Sequence, residues 1–172
     1  MVSPREKIQS SRLRCAIEGY MPDQKEIIST INDLIETLKD GQKGFKEAAD
    51  AVKDPRLKSL FTEYSQQRSR FASELQTQAR SVGEAEPETG GTTAGAMHRG
   101  WINLKSAITS GDDAAILAEC ERGEDAAVEA FEKAMRNELP LPVRDIVSRQ
   151  FSEIKSAHDR IKNLRDAAKK AP

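Results

Sequence analysis

The 172-residue chain is 32% charged, 37% hydrophobic and only 5% aromatic, which is typical of one domain built from long amphipathic helices rather than of a β-sandwich. Its 27 Lys and Arg residues nearly balance 28 Asp and Glu residues, so no net field attracts nucleic acid or an anionic membrane surface. No apolar segment approaches the roughly 20 residues that span a bilayer. We therefore expect a cytoplasmic protein that binds neither nucleic acid nor membrane.

The first 22 residues contain no sustained hydrophobic period, whereas such a period runs through most of the remaining chain. We therefore expect a flexible N-terminal tail at residues 1–22 and a single bundle domain at residues 23–169. Cys15 and Cys120 lie far apart in unlike contexts, so they indicate neither a disulfide framework nor a metal-binding pair.

The first long helix is predicted to begin at Asp23, because the segment Asp23–Glu26 resembles a capping box. Apolar and small residues then recur at alternating spacings of four and three as far as Val52, which is the pattern of a helix packed on other helices. Gly41 and Gly44 lie in this seam and weaken the helix, so they predict a close helix contact or a kink.

The second long helix should follow at once, since Asp54 can cap a helix and Pro55 fits its first turn. Such a short link makes the two helices antiparallel neighbours. The second seam runs from Leu57 to Leu75 and contains one charged residue, Arg68. We expect its stem to pack in the core while its guanidinium meets a carboxylate inside the bundle.

A long crossover is expected next, because residues 81–95 are rich in Gly, Glu, Pro and Thr. The spacing of Met97, Trp101, Leu104 and Ile108 then predicts a short helix that covers the bundle. A crossover of this length lets the third long helix run parallel to the second, which distinguishes a ferritin-like bundle from a simple up-and-down one.

Two further long helices complete the predicted fold. Ser110–Asp113 is a turn with capping residues, and the seam that follows includes Glu124. The Leu139–Pro142 segment ends this third helix, and the last helix carries apolar residues in register from Val143 to Ala168. No alternating strand pattern competes with the helical one. The predicted fold is all-α: a ferritin-like four-helix bundle whose crossover between helices two and three carries a short helix.

A carboxylate metal site is the first chemistry to consider in such a bundle, because hard oxygen ligands and imidazole suit iron and manganese. A ferritin-like site needs a Glu from each of two helices and a Glu-x-x-His from each of the other two. The chain has only two histidines, and neither follows a Glu at the third position. An incomplete iron or manganese site would draw on Glu124, Glu121, His158 and a first-helix acid such as Asp40 or Glu36.

A structural interpretation of the same residues competes with the metal site. Glu124 lies directly on the apolar seam, so we interpret it first as a buried carboxylate paired with Arg68 or with His158. His158 lies beside the seam of the last helix, and we interpret it as a hydrogen-bonded residue at the edge of the core. No catalytic residue is assigned, and no cofactor is expected.

Trp101 and His98 mark the crossover as a region of possible contact with other molecules. Trp101 could stack against a ligand, but an aromatic residue in a crossover more often plugs the bundle. His98 is interpreted as a surface or hinge residue. Because long connections often carry function, a partner-binding adaptor that uses the crossover is one hypothesis for this protein.

The chain resembles a family of uncharacterised bacterial ferritin-like proteins, a domain of unknown function described as a four-helix bundle. The likeness covers about residues 25 to 168. The segments that carry it are LIETLKDG at 34–41 with GFK at 44–46, Gln67-Arg68 with Phe71, MHRGW at 97–101, ERGED at 121–125, and Arg149-Gln150 with Ile154-Lys155 and Ala157-His158-Asp159. The resemblance implies a ferritin-like fold and self-association, and it brings no established reaction, substrate or cofactor.

The leading hypothesis is a non-catalytic bundle that acts through self-association, with a homodimer expected, or through binding of a ligand or partner, in the setting of a stress response. The alternative is a degenerate di-iron or manganese protein that oxidises ferrous iron or consumes peroxide. That alternative requires its candidate ligands to converge on one point.

Overall fold

The computed structural model describes residues 23–87 and 100–170, and all regular secondary structure in them is helical. This confirms the predicted all-α class. The predicted tail at residues 1–22 lies outside the described residues, as do Met97 and His98. The helices are α1 Gln24–Ala51, α2 Pro55–Ser81, α3 Leu104–Ser110, α4 Asp113–Arg136 and α5 Leu141–Lys170.

The ends of the helices follow the capping residues of the sequence. The side chains of Asp23, Asp54 and Asp112 accept hydrogen bonds from backbone N–H groups in the first turns of α1, α2 and α4. Pro55 occupies the first turn of α2, where no backbone N–H is needed. These local signals explain why the starts of three long helices were predictable.

Two boundaries differ from the prediction. The last helix begins at Leu141 rather than Val143, since Pro142 fits the first turn of a helix and does not break it. The short helix α3 begins at Leu104, so Trp101 precedes it in a bend instead of lying on its face.

Contacts at both ends of α1 show that α1 and α4 run antiparallel. The side-chain amide of Asn137, just beyond α4, donates to the hydroxyl of Thr30 near the start of α1 at 2.9 Å. At the opposite end, the backbone N–H of Lys53 donates to the carboxylate of Asp113 at 3.0 Å.

Helices α2 and α5 also run antiparallel. Gln67 donates to Glu153 at 2.9 Å, and about two helical turns further along α2, Glu74 pairs with Arg149 at 2.6 Å. Since α1 and α2 form an antiparallel hairpin through a link of three residues, α2 and α4 point the same way.

The buried core has two apolar halves. One half is built from the first part of α1 and the second part of α2, with the facing parts of α4 and α5, and the other surrounds Phe45, Phe61 and Ile116. Arg68 and Glu124 lie between the halves and are each only 1% exposed. A layer of charge therefore crosses the middle of the bundle. No helix in the described ranges is long and apolar enough to cross a membrane.

Candidate functional site

Trp101 packs in a socket made by glycines of two long helices. A Cβ atom added at Gly44 of α1 would lie 2.4 Å from atoms of the indole ring, and one added at Gly123 of α4 would lie 2.3 Å from it. Such distances are far below any real contact, so only glycine fits at either position. The indole also meets Phe45 edge-on, with ring centroids 5.2 Å apart. The socket pins the crossover against α1 and α4.

The two glycines of the α1 seam, Gly41 and Gly44, therefore differ in whether a close contact requires a glycine. Gly44 makes room for Trp101, which is a close contact with the crossover rather than with a long helix. A Cβ added at Gly41 would approach Arg68 Cγ at 3.4 Å, which is an ordinary van der Waals distance. The sequence predicted a close contact or a kink, and only Gly44 is strictly required by such a contact.

The central charge layer is an ion pair. Arg68 Nη2 of α2 donates to Glu124 Oε2 of α4 at 2.5 Å, and both side chains are almost wholly buried. The second guanidinium nitrogen donates to the side chain of Gln67, and the group lies 5.7 Å from the ring centroid of Phe45. Burial raises the pKa of the Glu124 carboxyl, and the guanidinium beside it opposes that rise. The structure thus brings Arg68 and Glu124 together.

The position of the Arg68–Glu124 pair at the centre of the bundle bears on whether Glu124 can bind a metal ion. In ferritin-like metal proteins the carboxylates of facing helices project into the bundle core around the metal ions. In this protein, the guanidinium of Arg68 supplies the positive charge beside Glu124. The carboxylate already has a charged hydrogen-bond donor, and such pairs are stable only while both partners are present.

Glu121 lies one turn before Glu124 on α4, and its partner lies elsewhere. Its carboxylate forms a salt bridge with Arg165 of α5, whose guanidinium also binds Asp166 at 2.6 Å. Glu121 is therefore held toward the α4–α5 edge and away from the central pair.

His158 of α5 lies between two aspartates. Its Nε2 atom is 2.8 Å from Asp125 Oδ1 and its Nδ1 atom is 3.0 Å from Asp159 Oδ1. Burial lowers the pKa of the imidazole, but the hydrogen bonds to Asp159 and Asp125 outweigh it, so the pKa lies above the usual value of 6.5. Both ring nitrogens lie within hydrogen-bond distance of one of these carboxylates, which favours the protonated form of the imidazole.

Asp40 of α1 behaves differently from the other predicted ligands. Its side chain is 5% exposed, and Oδ1 has no hydrogen-bond partner. Burial raises the pKa of its carboxyl from 3.8 to about 6, with Lys43 lowering it and Glu36 raising it through their charges. A buried carboxylate oxygen without a donor is costly, so Asp40 marks a place where the fold retains an unmet polar group.

Asp40 lines a groove between α1 and α4 with a volume of about 580 Å³. At the end of the groove near Asp40 lie Trp101 and Gly123, and the hydrogen bond between Thr30 and Asn137 lies at the other end. The charged side chains that line the groove are Glu26, Asp33, Glu36 and Asp40 from α1, and Glu129 and Lys133 from α4.

The predicted ligands of an iron or manganese ion are thus distributed among different partners. The described parts of the chain contain no group of three or more His, Cys, Asp or Glu side chains that could hold a metal ion. Trp101 fills its socket as a plug and is also one of the residues that line the groove. His98, which the sequence predicts to be a surface or hinge residue, lies outside the described residues.

The groove itself was not predicted from the sequence, although one signal for it exists. Glu26, Asp33 and Asp40 recur every seven residues, so their carboxylates lie along one face of α1. The contribution of α4, through Glu129 and Lys133, depends on how the two helices are rotated toward each other, and spacing alone does not carry that information.

The fold and these sites define a class of protein: an all-helical bundle with a charge-paired centre and an acidic groove on one side. The chain belongs to the family described as a domain of unknown function (DUF2383), whose model matches residues 26–137. The matched range runs from the first turn of α1 to the end of α4, includes the Trp101 socket, the Arg68–Glu124 pair and the groove, and ends before α5. No curated protein matches the chain significantly.

Proposed function

We propose that this protein is a non-catalytic bundle that binds a small ligand in the groove between α1 and α4. The observation that supports this most is the contrast between two buried carboxylates. Glu124 is neutralised by Arg68, whereas Asp40 is a lining residue of the groove and has a buried side-chain oxygen without a hydrogen-bond partner. A ligand that supplies a donor to Asp40 gains the full value of a buried hydrogen bond.

The size of the groove supports a small ligand rather than a folded partner. Small-molecule sites measure about 300–1,000 Å³, and this groove of about 580 Å³ falls within that range. A stable protein partner would need a contact area of well over 1,000 Å² in total. Partner binding through the crossover is therefore the weaker form of the binding hypothesis.

We also propose that the fold is a ferritin-like bundle, and the parallel course of α2 and α4 supports this. We further propose that the protein is cytoplasmic and forms a homodimer, because two-fold dimers are the commonest oligomers. Size-exclusion chromatography with light scattering measures the mass directly. A mass of twice 19.0 kDa is expected, and a monomer mass at all concentrations would remove the dimer from the proposal.

The groove is tested by a ligand-observed NMR screen of a small fragment library against three forms of the full chain. Glu129→Phe places a bulky ring in the groove, and Glu132→Phe places the same ring, with the same loss of charge, on an exposed position of α4 outside the groove. Fragments that bind the wild type and Glu132→Phe but not Glu129→Phe are expected. If no fragment is lost selectively in Glu129→Phe, the groove is not the binding site.

The non-catalytic part of the proposal has its own test. Elemental analysis of untagged, unchelated protein is combined with assays of ferrous-iron oxidation and peroxide consumption, on the wild type and on Glu124→Gln. We expect rates that match buffer alone for both proteins. Bound iron or manganese and turnover that disappear together in Glu124→Gln would establish the metal enzyme instead.

A further inference from the structure

The chemistry of the groove points to a particular class of ligand, given the proposed function on which this inference rests. Among the described lining residues, five carboxylates face a single lysine, Lys133. An acidic surface alone is often only solvated. The second observation is Asp40, which is 5% exposed and whose Oδ1 has no partner although it lies at the groove. A ligand that complements this site carries positive charge and N–H donors.

The carboxylates of α1 form a line and not a cage. Glu26, Asp33 and Asp40 are separated by seven residues each, which places successive carboxylates about 10 Å apart along the helix axis. A metal ion needs several ligand atoms around one point, at about 2.0–2.6 Å. A row of separate charges instead matches a flexible rod that carries several cationic groups.

The walls between these charges are apolar in part. Leu34 of α1 and Ala126 and Ala130 of α4 line the groove together with Trp101. Methylene segments between cationic groups would pack on these side chains.

We propose that the α1–α4 groove binds a linear aliphatic polyamine, with one terminal ammonium group pairing with the carboxylate of Asp40 and the remaining ammonium groups lying along the other carboxylates of α1. The terminal ammonium groups of an extended triamine are about as far apart as two of these carboxylates, one heptad apart on a helix. The site would hold a free polyamine, since its volume suits a small molecule.

The test is isothermal titration calorimetry of the full chain with spermidine at pH 7.5 and moderate salt. Three proteins are compared: the wild type, Asp40→Asn, and Asp50→Asn as the matched control, because Asp50 is an exposed aspartate of α1 outside the groove. Spermidine should bind the wild type, and Asp40→Asn should weaken binding by about tenfold or more, since it removes a charge-assisted hydrogen bond. Asp50→Asn should change the affinity by no more than about twofold, because an exposed charge is screened.

Two further ligands separate specific recognition from general attraction. The neutral rod 1,8-octanediol has a similar length without the charges, and Mg²⁺ carries charge without the length. Neither should bind in the groove or displace spermidine. Three results would each overturn the polyamine proposal. The first is no binding of spermidine to the wild type, and the second is an equal loss of affinity in Asp40→Asn and Asp50→Asn. The third is displacement of spermidine by Mg²⁺ added at the same total concentration of positive charge. Fragments lost selectively in Glu129→Phe would then still support the groove as a ligand site, so the two failures are distinguishable.

Discussion

At the scale of single residues, Asp40 combines a cost in stability with a place at the groove. Its pKa is raised from 3.8 to about 6, so the folded protein binds this proton more tightly than the unfolded chain does. The stabilising effect of that proton is fully present below pH 3.8 and is lost as the pH rises through about 6. A shift of this size corresponds to at most about 3 kcal/mol, because one pKa unit is worth about 1.4 kcal/mol.

Asp40→Asn should therefore stabilise the ligand-free protein at pH 7.5 by about 1–2 kcal/mol, since it removes a buried charge. The gain should vanish near pH 4, where the wild-type carboxyl is protonated. Urea unfolding at both pH values measures the difference, with Asp50→Asn as the control that changes the free energy of unfolding little. Lys43 and Glu36, whose charges act on the pKa of Asp40, are unchanged in both variants. A loss of stability in Asp40→Asn at pH 7.5 would show that the carboxylate is a structural group.

The Arg68–Glu124 pair should behave as a unit. Removing one partner leaves a buried charge alone, so Arg68→Met and Glu124→Leu should each lower the free energy of unfolding by about 3–5 kcal/mol. The double variant should lie within about 1–2 kcal/mol of the wild type, because two well-packed apolar side chains replace both charges. Denaturant unfolding of the four proteins completes the cycle. Additive losses in the double variant would mean that the two side chains do not depend on each other.

His158 supplies a second pH-dependent prediction with the same sign, because its pKa is also raised in the folded protein. Its pKa in the folded protein lies above 6.5 because the hydrogen bonds to Asp159 and Asp125 outweigh the effect of burial. The contribution of the protonated ring is thus present below pH 6.5 and is lost as the pH rises through the folded-state pKa. We expect His158→Gln to cost about 0.5–1 kcal/mol more at pH 6 than at pH 9, a small effect because the aspartates are exposed. Thermal unfolding at the two pH values measures it, and an equal cost at both would contradict the assignment.

At the scale of helices and their connections, the Trp101 socket explains how the crossover is held on the bundle. Gly123→Ala would place a methyl group 2.3 Å from the indole ring, so the ring must move. We expect a loss of about 1–3 kcal/mol in the free energy of unfolding, as for overpacked cores. The chain contains a single tryptophan, and its fluorescence should shift to longer wavelength as the ring becomes more exposed.

Gly41→Ala is the matched control for the socket, since it adds the same methyl group to a helical glycine. Its new Cβ would meet Arg68 at an ordinary distance of 3.4 Å. Removing a glycine from a helix interior also gains up to about 1 kcal/mol. Gly41→Ala should therefore leave the fluorescence of Trp101 unchanged and the stability equal or higher. An identical response of Gly41→Ala and Gly123→Ala would mean that the socket is not specific.

At the scale of the whole molecule, the parts of the fold that depend on local sequence were predictable. Asp23, Asp54 and Asp112 cap helices through bonds to their own neighbours, so the sequence around them predicted where three long helices begin. The hydrophobic seams indicated which faces point inward. The prediction that Pro142 is part of a helix break is wrong, because a proline is also favoured in the first turn of a helix.

The parts that depend on how helices are placed against each other were less accessible. A charged residue on each of two seams made Arg68 and Glu124 reasonable partners, and the structure places them side by side. Spacing also grouped Glu121 and His158 with Glu124, but their register against α5 and α4 directs them to Arg165 and Asp125. The unpaired oxygen of Asp40 is a fact of three-dimensional packing, since sequence spacing does not report which donors reach a buried atom.

The most direct test of the groove as the binding site is a map of amide chemical shifts, recorded on the isotopically labelled full chain during titration with spermidine. The largest changes should fall on Asp33, Asp40 and the indole N–H of Trp101, with Glu129 on the facing helix also affected. No such changes are expected around the Arg68–Glu124 pair or along the exposed face of α5. Changes centred on α5, or spread evenly over exposed acidic residues, would show that the groove is not the spermidine site.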